Sequence, residues 1–234
     1  MSLENTKLLI TPNGYKAGKL YSALPESGAG DSTFARATTA TRYNAEGLIE
    51  EVGLNVPRVD YPISGGCPSL LLEPQRTNLY INSETLITQS NTTISGVYTV
   101  SFYGTGTITL SGSASGILIG TGENERVNLL FTASAGTLTS TVSGSVLNAQ
   151  LEQGTQATSY IPTLASAVTR NTDVLSNDMT ATVDSTYSAL LDVSASDSRL
   201  KIEDGTTGFD LPLNGAGRIV MVVDSDITFH FPDN

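Results

Sequence analysis

Tyr98-Thr99-Val100-Ser101-Phe102 and Val127-Asn128-Leu129-Leu130-Phe131 are the stretches whose reading decides the fold. In both, apolar residues alternate with small or polar ones, the period-two pattern of a strand with one buried and one solvated face. Around them, residues 91–165 carry only four charged side chains, Glu123, Glu125, Arg126 and Glu152, among many Thr, Ser and Gly. Turn signals recur at Gly104, Gly112, Gly116, Gly120-Thr121-Gly122, Gly136 and Gly144, close to the spacing of an all-β sandwich. The reading for residues 83–163 is therefore a small, regular β-sandwich.

On either side the texture changes. Residues 1–82 hold short apolar runs such as Lys7-Leu8-Leu9-Ile10, interrupted by Pro12-Asn13-Gly14, Gly28-Ala29-Gly30 and Gly65-Gly66, which predicts irregular β structure with long loops. From residue 164 charge returns and strands are again expected at Ser188–Val193 and Arg218–Val223. The second of these is a continuous apolar run, which predicts a central strand covered on both faces. The best helix candidate, Ala45–Val52, contains Gly47 and the β-branched Ile49 and Val52, so it reads as a hairpin arm. The flanks resemble each other in composition more than either resembles the middle. This suggests an all-β chain of two β-sandwich domains, residues 1–82 with 164–234 forming one and residues 83–163 inserted as the other. Tandem packing is the alternative arrangement.

Composition narrows the function. At 234 residues, either layout buries a core without covalent staples. The net charge of -11, from 23 acidic and 12 basic residues, repels a phosphate backbone and an anionic membrane, so neither nucleic acid nor membrane is an expected partner. Cys67 is the only cysteine, which leaves no intrachain disulfide. The amino-terminal residues lack a signal-peptide pattern and no apolar run approaches a membrane span, so synthesis in a cytoplasm is expected. Asn91-Thr92-Thr93 matches a glycosylation acceptor that such a location leaves idle.

Candidate chemistry is sparse. Gly112-Ser113-Ala114-Ser115-Gly116 fits the G-x-S-x-G pattern, but a nucleophile elbow needs a helix after the Ser, and Ile117-Leu118-Ile119 reads as a strand, so a hairpin turn is favoured. His230 is the only histidine and has no partners with which to build a triad or a zinc site. Glu50 and Glu51 are adjacent and point to opposite faces of a strand. Glu123 and Glu125 share a face beside Arg126 in what reads as a solvated loop, which does not suit a glycosidase pair. Glu84 and Glu152 flank the regular segment and could meet at a structural calcium, although no Asp-rich loop accompanies them. No catalytic residue, metal ligand or cofactor is assigned. For ligand binding the expectation falls on Tyr103: sharing a face with Val97, Thr99 and Ser101, it should be exposed, while Tyr98 and Phe102 are core.

Several segments, read as strings, carry a resemblance: Thr33-Phe34-Ala35-Arg36-Ala37-Thr38-Thr39-Ala40-Thr41-Arg42, Asn55-Val56-Pro57-Arg58-Val59-Asp60-Tyr61, Cys67-Pro68-Ser69-Leu70-Leu71-Leu72-Glu73-Pro74-Gln75-Arg76-Thr77-Asn78-Leu79, Ala149-Gln150-Leu151-Glu152-Gln153-Gly154-Thr155-Gln156-Ala157-Thr158-Ser159-Tyr160-Ile161-Pro162-Thr163 and Ala167-Val168-Thr169-Arg170-Asn171. In this order they resemble structural proteins of tailed bacteriophages and prophages, of the tail or head fibre type. The resemblance implies a jelly roll like those of carbohydrate modules (83–163) within a concanavalin/laminin-G-like, lectin-like sandwich. It also implies a non-enzymatic virion protein of the fibre or capsid-decoration type, made in the bacterial host cytoplasm. By analogy the chain forms a homotrimer and touches other virion proteins. A carbohydrate-binding module for a bacterial surface glycan is the alternative. The chain departs from such relatives in having Tyr80-Ile81-Asn82-Ser83-Glu84 and no Trp where they carry an aromatic-rich stretch.

Overall fold

The computed structural model describes residues 9–24, 26–28, 30–179, 185–191, 198–203, 208–213, 217–223 and 227–230. In chain order the strands are β1 (Leu9–Lys16), β2 (Lys19–Leu24), β3 (Ser32–Ala35), β4 (Ala40–Tyr43), β5 (Ile49–Val52), β6 (Arg58–Asp60), β7 (Ser69–Leu71) and β8 (Arg76–Asn78). They continue as β9 (Gln89–Thr93), β10 (Gly96–Gly104), β11 (Thr107–Gly112), β12 (Gly116–Ile119), β13 (Gly122–Ala133), β14 (Gly136–Ser143), β15 (Leu147–Gln153) and β16 (Val168–Arg170). The remainder are β17 (Val174–Met179), β18 (Ser185–Leu191), β19 (Ser198–Glu203), β20 (Gly208–Leu213), β21 (Gly217–Val223) and β22 (Ile227–His230). The protein is all-β, with no helix among the described residues. Two compact units are present: Met1–Thr39, Tyr43–Pro74 and Thr172–Asn234 form the first, and Ala40–Arg42 with Gln75–Asn171 form the second.

In the first unit a seven-stranded sheet runs β1-β2-β3-β17-β22-β19-β20. Chain from before and after the second unit meets in it, as β3 pairs antiparallel with β17 through Val174–Ala35, Leu175–Phe34 and Ser176–Thr33. Pro12-Asn13-Gly14 does not end the first strand as the turn chemistry predicts. It forms an irregularity inside β1, whose register on β2 jumps from Ile10–Ser22 to Tyr15–Leu20. The extra residues are absorbed as a bulge, which lets the ladder resume beyond a proline that cannot donate to it. Within Ala45–Val52 the chain first turns, Asn44 Oδ1 accepting from Glu46 N at 3.1 Å and Leu48 N at 2.9 Å, and then becomes β5. β21, expected to be central, pairs among the described residues only with β18.

The second unit has the sandwich-like arrangement that the alternation predicts. One sheet is β13-β10-β15, the other β12-β11-β14-β9. Their facing side chains make the core: Tyr98, Val100 and Phe102 from β10 and Leu151 from β15 on one side, Ile108, Leu110, Leu118 and Leu138 on the other. β13 aligns its apolar positions with those of β10, Val127 opposite Phe102, Leu129 opposite Val100 and Phe131 opposite Tyr98. The Tyr98 and Phe131 rings stack at 6.0 Å between centroids. β8 and β16, which lie outside the 83–163 segment, pair with each other in this unit. The glycines flagged as turns sit at strand ends, and at Gly112 the choice is forced: φ is +95°, and a Cβ there would lie 2.2 Å from the Thr137 carbonyl oxygen.

Candidate functional site

The buried ionisable side chains are placed by their partners. In the first unit, Arg36 on the exit of β3 and Arg58 at the start of β6 converge on Asp173, just before β17. Arg36 Nη1 donates to Asp173 Oδ1 at 2.8 Å, Arg58 Nη2 donates to Asp173 Oδ2, and Arg58 Nη1 pairs with Glu73 Oε2 at 2.8 Å. The side chains of Arg36, Arg58 and Asp173 have no solvent exposure. Glu73 N and Asp173 N close the group, donating to Asp173 Oδ2 at 2.9 Å and to the Glu73 carbonyl at 3.0 Å. Burial would lower the Arg58 pKa, but Glu73 and Asp173 outweigh it and hold the group above its ordinary value. In Arg36 burial prevails over Asp173 and the pKa falls. Two cations face two anions, so the cluster is charge-balanced and fastens the chain entering β17 to β3 and β6.

In the second unit the segment Gly154–Thr163 passes over the outer face of β10 and β15. Buried Glu152 accepts from Thr158 N at 2.6 Å, from Thr158 Oγ1 at 2.8 Å and from Gln150 Nε2. Gln150 Oε1 accepts from Ile161 N at 2.7 Å, Thr99 Oγ1 donates to the Gly154 carbonyl at 2.9 Å, and Arg126 Nη2 donates to Ser101 Oγ at 2.8 Å. Burial raises the Glu152 pKa, opposed by the bonds from Thr158 and by Arg126. Beside this strap Asn78 is fully used: Nδ2 donates to the carbonyls of Ala149 and Ile161, and Oδ1 accepts from Tyr80 N and Leu151 N.

Burial corrects the expectation for Tyr103. The residue is not exposed: 5 % of its surface is accessible, the Arg126 guanidinium lies 5.9 Å from its ring centroid, and burial raises its hydroxyl pKa. From Tyr98 onward both faces of β10 are covered, one by the core and the other in part by a segment some fifty residues away in sequence. An open aromatic platform is therefore not formed there.

The other sequence candidates fall as follows. Ser113 lies in the turn between β11 and β12, its Oγ accepting from Thr93 Oγ1 at 2.8 Å, and β12 rather than a helix follows it. Glu123 and Glu125 are exposed at the start of β13. Glu152 turns inward to Thr158, while Glu84 is exposed and offers its backbone carbonyl to Asn148 N. Cys67 is an exposed free thiol. The side chain of His230 lies outside the described residues. Among the described residues no group of three or more His, Cys, Asp and Glu could hold a metal ion, and no helix is long and apolar enough to cross a membrane.

What remains open is the outer face of the four-stranded sheet. Register and burial place on it Thr107, Thr109 and Ser111 from β11, Thr137, Thr139, Thr141 and Ser143 from β14, Ser90 and Thr92 from β9, and Ile117 and Ile119 from β12. They form rows across the sheet, Ile119–Thr107–Ser143, Ile117–Thr109–Thr141 and Ser111–Thr139–Ser90. Hydroxyl rows of this kind are spaced about 4.8 Å across strands and about 6.8 Å along them. Neighbouring hydroxyls bond one another, as Ser90 and Thr139 do at 3.0 Å. None of these side chains is charged, in a chain of net charge -11. Sequence alone identified the poverty of charge; which residues share the face emerged only from the register.

Comparison with family models, curated proteins and solved structures returns no match.

Proposed function

We propose that the chain is a non-enzymatic bacteriophage virion structural protein of the fibre or capsid-decoration type, which assembles with copies of itself and with other virion proteins. In this reading the first unit is a lectin-like sandwich and the second a jelly roll inserted in it. The observation that carries it is where the resembling segments put their side chains. Arg36, Arg58 and Glu73 close one buried network, and Asn78, Gln150, Glu152 and Thr158 build the other. A motif whose acids, bases and amides are occupied in holding strands together supports a scaffold rather than a reaction centre. The virion is the implied location. Mass spectrometry of purified particles from a lysogen or infected host tests this: the protein should copurify with particles at fixed stoichiometry, and its absence from them refutes the assignment.

A second reading, a module for a neutral bacterial surface glycan, is favoured by the uncharged Ser/Thr face. Charge-free hydroxyls lose little on desolvation against a polyhydroxyl ligand. A glycan array followed by calorimetry tests it, with Thr109→Arg and Thr141→Arg on the face. Binding that these substitutions abolish supports the reading, and binding that survives them unchanged removes this face from it.

A further inference from the structure

The edge of the uncharged sheet has a property that goes past its lack of charge. β12 ends the order β12-β11-β14-β9 and, among the described residues, pairs only with β11. No backbone hydrogen bond leaves its other side among the described residues. Exposed edges are ordinarily guarded by a charge, a proline or a bulge. Here Gly116-Ile117-Leu118-Ile119-Gly120 has none of these, and its ladder to β11 runs without irregularity. Ile117 and Ile119 stand 61 % and 64 % exposed. The other open edges differ: β13 begins with exposed Glu123 and Glu125, and β9 presents Ser90 and Thr92. On the three-stranded sheet the far side of β15 takes a bond from Leu79 N to the Leu151 carbonyl.

The segment also reads the same in both directions, Gly-Ile-Leu-Ile-Gly. An antiparallel pair formed by two copies about a two-fold axis at Leu118 sets each Gly116 against Gly120 of the partner subunit and each Ile117 against Ile119 of the partner subunit. All four isoleucines then lie on one face, and the segment Gly116–Gly120 itself carries no charge into the seam; the nearest carboxylates in sequence are those of Glu123 and Glu125 at the start of β13, which packs beside β12. We infer that β12 is a self-recognition edge, through which a second copy of this chain pairs antiparallel and continues the four-stranded sheet into an eight-stranded one. The occupant follows from the symmetry of the segment, which makes the edge complementary to its own copy, and from the absence of any carboxylate within Gly116–Gly120 in an otherwise acidic chain. A short edge covers far less than the roughly 800 Å² per partner of a standard interface, so the contact is weak alone and fills as concentration rises within an assembly. The inference rests on the self-assembly reading above, and a two-fold seam is an isologous contact, distinct in kind from the heterologous contacts of the trimer that the sequence resemblance implies.

The test uses the full chain. Sedimentation velocity across a hundredfold concentration range should show a mass that rises with concentration. Ile117→Lys with Ile119→Lys, both at exposed sites, should move the transition at least tenfold higher in concentration, while Thr141→Lys, on the same face but away from the edge, should leave it in place. Register is read separately in a Cys67→Ser background. Directly opposed residues have Cα atoms about 4.5–5.5 Å apart, within disulfide reach, whereas diagonal ones lie about 7–8 Å apart. An equimolar mixture of Ile117→Cys and Ile119→Cys chains should therefore cross-link several-fold more than either alone. An assembly whose mass the edge substitutions leave unchanged, or cross-linking equal in mixed and single samples, overturns the edge pairing and spares the assembly reading. A chain that is monomeric at every concentration overturns both.

Discussion

Replacing Asp173 with Ala leaves two buried guanidiniums without the carboxylate that joins them. Arg36 loses its 2.8 Å ion pair and keeps bonds to carbonyls, those of Thr38 at 2.9 Å, Gly53 at 2.7 Å and Val52 at 3.4 Å. Arg58 keeps Glu73, and Glu73 N loses its acceptor. Removing one partner of a fully buried pair costs about 3–5 kcal/mol, because the remaining charge stays out of water uncompensated. For a chain of this size 1 kcal/mol corresponds to roughly 2–4 °C, so the transition of the first unit should fall by roughly 6–20 °C. Differential scanning calorimetry of the full chain measures it, with Asp173→Asn as a companion that keeps one acceptor oxygen and should fall less. A transition for Asp173→Ala within about 2 °C of the parent would refute the reasoning, since the arginines would then be relieved by water.

Three further outcomes are expected. Glu152 has a raised folded pKa, so the folded state holds its proton more tightly and the stability it contributes is present below the ordinary carboxyl value of about 4.3 and lost as pH rises through the folded value; the Tm difference between parent and Glu152→Gln should therefore shift against the parent between pH 4 and 7, and a pH-independent difference contradicts the burial argument. Tyr103→Ala should destabilise by about 3 kcal/mol in urea unfolding, as a buried aromatic does; a change below about 0.5 kcal/mol contradicts its burial. Gly112→Ala, at φ +95° and against the Thr137 carbonyl, should lower Tm by several degrees, while Gly122→Ala, with open space around it, should change it by less than about 2 °C.

The parts of the fold legible in the sequence are those set by neighbours in the chain. Alternation in Tyr98–Phe102 and Val127–Phe131 predicts their inward faces, and the glycines from Gly104 to Gly144 predict strand ends. What the pattern could not convey is cover arriving from far along the chain. Thr99, Ser101 and Tyr103 read as solvent-facing because a period of two reports one covered face and is silent on a second, to which the Gly154–Thr163 strap contributes at Thr99 and Arg126 at Ser101 and Tyr103. Glu152, read as a possible calcium ligand, is instead an acceptor for Thr158 six residues on. The four-member cluster about Asp173 escaped notice because its members are scattered between positions 36 and 173 and each looks like a surface charge alone. The uncharged face was anticipated as a composition and not as a geometry: only the pairing of β11 with β12 and β14 puts Thr109 between Ile117 and Thr141.

Arg36 and Asp173 are 137 positions apart in the chain, and that distance sets an order of events at the ribosome. At roughly 5–20 residues per second, translation of Gln75–Asn171 takes on the order of 5–20 s. Throughout that interval the nascent first unit holds Arg36 and Arg58 without Asp173, and β3 without its neighbour β17. The second unit's sequence is continuous apart from Ala40–Arg42, and its last strand, β16, is made just before Asp173. The buried carboxylate thus acts as a late clasp, and nascent chains arrested before residue 173 should expose the β3 edge that full-length chains conceal.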